Sequence, residues 1–147
     1  MGSMLQLRNR IAQVNQASLR RVIAEVILNS PEVKRAKIEE FKSGLRPDGN
    51  IIGVYRSNEY RRQKQSMNSQ AGGTVDLILT GSFTSKLFLQ NPRPSEFIFE
   101  STDSKSNDLF AKYGDDLRGL NSDTFRDVEV LFLKDDYIAA IRNLIFG

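Results

Sequence analysis

Between Leu5 and Asn29 the residues Leu7, Ile11, Val14, Ala17 or Ser18, Val22, Val26 and Leu28 or Asn29 recur at steps of three to four. This spacing makes one stripe of an amphipathic helix, with Arg8, Arg10, Gln13, Gln16, Arg20 and Arg21 on the opposite side. Ser30-Pro31-Glu32 follows, an N-cap residue, a proline at the first helical position and an acid in the first turn. A second helix is therefore predicted from Pro31 to about Ser43, stopping at Gly44.

From Leu45 to Gly73 the periodicity is lost. Arg46-Pro47-Asp48-Gly49-Asn50 is a turn cluster, Ser66 to Gly73 is small and polar, and only Tyr60 to Lys64 has the makings of a short helix. Three strand-like runs come next: Thr74 to Leu79, Phe83 to Gln90 and Glu96 to Ser101. Gly81-Ser82 and Asn91-Pro92-Arg93-Pro94 separate them, which suggests an antiparallel meander. A short helix is expected from Asn107 to Lys112, ended by Gly114 in a left-handed conformation. From Ser122 onward Phe125, Val128, Leu131 or Phe132, Ile138, Ile141, Leu144 and Ile145 predict helix, bent near Lys134-Asp135; a strand from Val128 to Leu133 is the competing reading of that stretch.

These elements define an α+β fold: N-terminal helices and a C-terminal helix packed on a small, mainly antiparallel sheet, with a long basic loop. At 147 residues the chain fits one domain, divided into a helical part (1–44), a loop (45–73) and a sheet with the C-terminal helix (74–147). Its longest apolar runs fall far short of a membrane span, and no signal-peptide pattern opens the chain, so an intracellular protein with no membrane partner is expected.

Composition narrows the chemistry. The chain has neither cysteine nor histidine, which removes disulfides, thiolate metal sites, the usual zinc sites and histidine general bases. No P-loop, dinucleotide fingerprint or nucleophile elbow is present. The strongest enzymatic case is a metal-dependent nuclease using Asp76 with Asp103-Ser104-Lys105, but Asp103 and Lys105 fall in a turn after a strand instead of within one. No catalytic residue, cofactor or metal is therefore expected.

Charge is unevenly distributed. Residues 1–65 carry 13 Lys/Arg against 6 Asp/Glu, and residues 66–147 carry 8 against 12. Such polarity suits either a basic face for nucleic acid or complementary faces for head-to-tail packing of identical subunits. The most basic segment interleaves Tyr55 and Tyr60 with Arg56, Arg61, Arg62 and Lys64. One reading holds DNA phosphates with the cations while the rings stack. The other anchors the loop through its tyrosines and turns the cations to water or to a neighbouring subunit.

Tyr60 and Lys64 ahead of a gap, VDLILTGSF from Val75 to Phe83, and KYGDDLRGLN from Lys112 to Asn121 followed by a helix form an ordered series. It resembles the bacteriophage virion-morphogenesis and tail-completion (head-tail joining) proteins. Members of that family carry a strand ending in a Thr-Gly-like turn, a later aromatic-Gly or His-Gly pair, and a Gly-Leu start to a C-terminal helix. The matching positions are Thr80, Gly81, Tyr113, Gly114, Gly119 and Leu120; the basic loop is longer than the family pattern. The resemblance spans roughly the C-terminal 60% of the chain. It implies a structural component of the virion, assembled in the host cytoplasm. Such a subunit would form a homo-oligomeric ring with portal, connector or tail-tube proteins as partners, around DNA that it contacts non-specifically. The alternative is a nucleic-acid-binding protein using the basic N-terminal half.

Overall fold

The computed structural model describes residues 4–68, 74–77, 82–93 and 96–147. In chain order the helices are α1 (Met4–Gln13), α2 (Gln16–Leu28), α3 (Pro31–Lys42), α4 (Asn58–Met67) and the single turn α5 (Ser82–Ser85). Strands β1 (Leu87–Arg93) and β2 (Glu96–Ser101) precede α6 (Ser106–Tyr113) and a 3₁₀ turn (Asp115–Arg118). A last long helix comprises α7 (Ser122–Val128), a π-helical turn (Glu129–Leu133) and α8 (Lys134–Phe146). Helices on a two-stranded antiparallel sheet make this the expected α+β class.

The N-terminal stripe is two helices, not one. Asn15 and Ser18 form a reciprocal capping box: the Ser18 amide donates to Asn15 Oδ1 at 2.9 Å, and the Asn15 amide donates to Ser18 Oγ at 3.0 Å. That local pairing outcompetes helix continuation at Val14 and Asn15. Helix α1 buries none of its residues, whereas α2 buries Ala24 and Ile27. The next helix begins at Pro31 as expected, although the Ser30 hydroxyl donates to Glu32 instead of accepting from the helix backbone. It ends where Gly44 adopts φ 69°, letting the Leu45 amide donate to the Glu40 carbonyl.

The three-strand meander is reduced to a hairpin. Strand β2 has the expected bounds, but Phe83 lies in α5 and β1 starts only at Leu87. In the first expected strand, Thr74 makes a single bridge with Val54, and Leu77 adopts φ 58°, incompatible with a strand. Residues 78–81, the rest of that run with Thr80 and Gly81, lie outside the described residues. Leu87 pairs with Ser101 and Leu89 with Phe99, so these side chains share the face covered by α2 and α3. Leu87 and Phe99 join Phe41, Phe83, Phe110, Leu117, Val128 and Leu133 in the core, with the Phe83 ring 5.7 Å from both Phe41 and Phe110.

Helix replaces the strand alternative for Val128 to Leu133. Both Val128 and Leu133 are buried, yet five steps along a regular α-helix would set them about 140° apart. The π turn, closed by the Lys134 amide donating to the Glu129 carbonyl, brings both to one face. Consequently Val130, Leu131 and Phe132 are turned outward and are 65%, 71% and 53% exposed. Tyr137 Oη donates to Glu129 Oε2 at 2.8 Å across the turn; burial, and next that hydrogen bond, push the phenol well above its ordinary range. α8 then runs back along α2 and reaches α1, where Arg10 donates to the Phe146 carbonyl at 2.6 Å.

Candidate functional site

Segment 45–68, expected as a long loop, is anchored at several points. Leu45 bridges Ile51 across the Arg46–Asn50 turn, where Gly49 has φ 88°. After Ser57, whose hydroxyl caps the Tyr60 amide, the chain forms α4, longer than the short Tyr60–Lys64 helix the sequence suggested.

Helix geometry then divides the predicted basic set. Positions 60 and 64 are one turn apart and face inward together. The Tyr60 ring packs edge-on against Tyr55 with centroids 5.0 Å apart, so these tyrosines engage each other. Lys64 is 2% exposed, and its Nζ lies 2.7 Å from Asp76 Oδ1, on a carboxylate 1% exposed. Asn68 Nδ2 donates to Asp76 Oδ2 at 2.9 Å and to the Lys42 carbonyl at 2.8 Å, tying the pair to the end of α3. Burial, and then the nearby Asp76 carboxylate, push the Tyr55 phenol well above its ordinary range. Lys64 is therefore a structural cation and is not presented to a ligand. Arg56, Arg61 and Arg62 are exposed, as is Glu59 between them in the sequence.

The family-like segment 112–121 is an architectural joint. Gly114 adopts φ 115° and ψ 148°, a positive-φ stop to α6 but not the left-handed helical cap expected. A Cβ there would lie 2.5 Å from Asp116 Oδ1 and 3.2 Å from Arg46 Nη1. Arg46 Nη1 donates to Asp116 Oδ1 at 2.9 Å, and its Nη2 donates to the Ile52 carbonyl at 3.1 Å, joining this segment to the 46–52 turn. Tyr113 and Leu120 pack partly buried against the core, and Gly119 has an ordinary extended backbone whose amide donates to the Asp116 carbonyl. Asn121 caps α7, its Oδ1 accepting from the Thr124 amide at 3.0 Å.

A second buried pair was missed in the sequence. Lys37 is fully buried, 2.6 Å from Glu40 Oε1 and 4.4 Å from the Phe41 ring centroid. Glu40 Oε2 accepts from the Asn121 amide at 3.0 Å, so one carboxylate serves both α3 and the start of α7. Burial pulls the Lys37 ammonium below its usual range, opposed by the Glu40 charge and hydrogen bond. The available signal was periodicity: Val33, Lys37, Glu40 and Phe41 share one helical face, two of them charged.

The nuclease carboxylates have separate engagements. Asp76 holds Lys64 and Asn68, while Asp103 accepts from the Ser82 hydroxyl at 2.6 Å and from the Lys105 amide at 2.9 Å. Among the described residues, no three acidic side chains gather as a metal-binding group. No described helix is long and apolar enough to cross a membrane.

Two outward features bear on function: three arginines around α4, and the apolar run at the π turn with the acids Asp123, Asp127 and Asp135 exposed along the same helix. The first can hold an anionic chain. The second can seat against another protein. No protein-family model matches the chain, and neither a curated protein nor a solved structure matches it.

Proposed function

We propose that this chain is a non-catalytic structural subunit of a bacteriophage particle, of the tail-completion or head-tail joining kind. It assembles as a homo-oligomeric ring against portal, connector or tail-tube proteins. The observation that carries this reading is the outward Val130-Leu131-Phe132 run. Three consecutive large apolar side chains exposed on a helix invite protein contact, because leaving them in water forgoes the free energy of burial. The π turn that produces this exposure also buries Val128 and Leu133, so the display follows from the way the core is packed. The family resemblance of segments 75–83 and 112–121 supplies the particle.

The competing reading, nucleic-acid binding, draws on Arg56, Arg61 and Arg62, which stay exposed near one another in the sequence. Pairing of Lys64 with Asp76 leaves it fewer cations than the sequence suggested. Negative-stain electron microscopy of the concentrated protein, beside a fluorescence titration of duplex DNA at low and high salt, separates the two. Rings at both salt concentrations, with at most weak DNA binding, support the structural subunit. Tight DNA binding that falls steeply with salt, without rings, overturns it.

A further inference from the structure

On the groove side of α2, facing the tip of the hairpin, lies an open groove of about 520 Å³. Its floor is apolar, made by Ala17, Ala24, Leu28 and Pro92. Arg20, Arg21 and Arg93 line it as well, against a single acid, Glu25. Arg93 has Glu96 at 3.6 Å, whereas no ion pair involves Arg20 or Arg21 among the described residues. The groove is thus a cationic rim around an apolar floor.

The π-turn surface is its chemical complement. Val130, Leu131 and Phe132 are its exposed apolar residues. The stretch 122–136 around it carries Asp123, Asp127, Glu129, Asp135 and Asp136 against only Arg126 and Lys134. The two surfaces are built from different residues. Helix α2 turns Ala17, Arg21, Ala24 and Leu28 to the groove, while Val22, Val26 and Asn29 line a separate cleft with Asp136, Ala140 and Asn143 of α8.

We infer that copies of this chain associate head to tail, the Val130-Leu131-Phe132 run of one seating in the arginine-rimmed groove between α2 and the hairpin tip of the next. This rests on the ring reading and names its contact. Apolar side chains meet an apolar floor, while aspartates of the projecting helix face Arg20 and Arg21 at the rim, fixing which way the partner lies. Because the surfaces differ and each copy carries both, the contact is heterologous. It leaves one free surface at each end of a dimer and propagates until the rotation closes a ring.

The chain contains no cysteine, so introduced thiols report contacts without background. Chains carrying L131C and A17C, both at exposed positions, are mixed at high concentration and mildly oxidised. The mixed cross-link is expected to outpace either homodimer by about tenfold or more, R21E in the A17C chain to slow it by a similar factor, and D127R in its partner to restore it. Homodimers forming as fast as the mixed species, or indifference to R21E, overturn the contact. If the unmodified chain forms rings while the mixed cross-link is absent, this interface is wrong and the ring reading survives. If neither rings nor the mixed cross-link form, both fall.

Discussion

The Lys64 ammonium sits 2.7 Å from the Asp76 carboxylate, and both side chains are almost wholly removed from water. Taking two charges out of solvent is repaid only while both are present. Asp76→Ala leaves Lys64 buried and uncompensated, and is expected to destabilise the fold by about 3–5 kcal/mol in urea denaturation. Replacing the two together, K64M with D76L, is expected to lose much less, since no orphan charge remains. A D76A loss below about 1 kcal/mol would mean that Lys64 reaches water in the folded protein.

Asn121 joins two parts of the chain, capping α7 through Oδ1 and donating from Nδ2 to the Pro47 carbonyl at 2.8 Å. Asn121→Ala is expected to cost about 1–2 kcal/mol. Amide hydrogen exchange should then quicken in the first turn of α7. Unchanged exchange there would show that the Glu40 carboxylate, accepting from the backbone of residue 121, holds the helix start alone.

At Gly114, φ 115° coincides with a close approach of Asp116 and Arg46. Gly114→Ala meets both obstacles and is expected to lose at least about 1 kcal/mol. Gly119→Ala is a control with a φ of −83° and only ordinary to tight contacts, and its loss should be smaller. Equal losses at the two positions would contradict this account of the joint.

The Ser82 hydroxyl, and next the Lys105 amide, hold the Asp103 carboxyl below the usual carboxylate range. With the folded value depressed, the unfolded chain takes up the proton first as pH falls. The stabilisation is therefore present above about pH 4 and is lost as pH drops through the folded value. Ser82→Ala should raise the Asp103 value toward the ordinary one in a carbon-13 carboxyl titration. No movement would assign the shift to the Lys105 amide instead.

Legibility in the sequence followed the range of the interactions. Short-range chemistry was readable: Pro31 and Gly44 bracketed α3, the Arg46–Asn50 cluster made its turn, and Glu96 to Ser101 was a strand. The division at Val14-Asn15 was missed because an apolar stripe continues through it, although Asn15-x-x-Ser18 held the signal. Two failures were tertiary. Phe83 has a strand former's side chain but belongs to α5, where its ring fits between Phe41 and Phe110. Lys64 looked like part of a cationic surface, and only its meeting with Asp76 twelve residues on makes it internal. The π turn could not be read from spacing, since Val128 to Leu133 fits strand and helix alike until both end residues are seen in one core.

The assembly claim is tested most directly by the mass of the protein in solution, measured by light scattering across a wide concentration range at low and high salt. Growth from monomer to a closed species of fixed mass is expected, with the apolar contact persisting at high salt and L131D holding the protein at the monomer. A monomer at every concentration in both salts, unaffected by L131D, would contradict it.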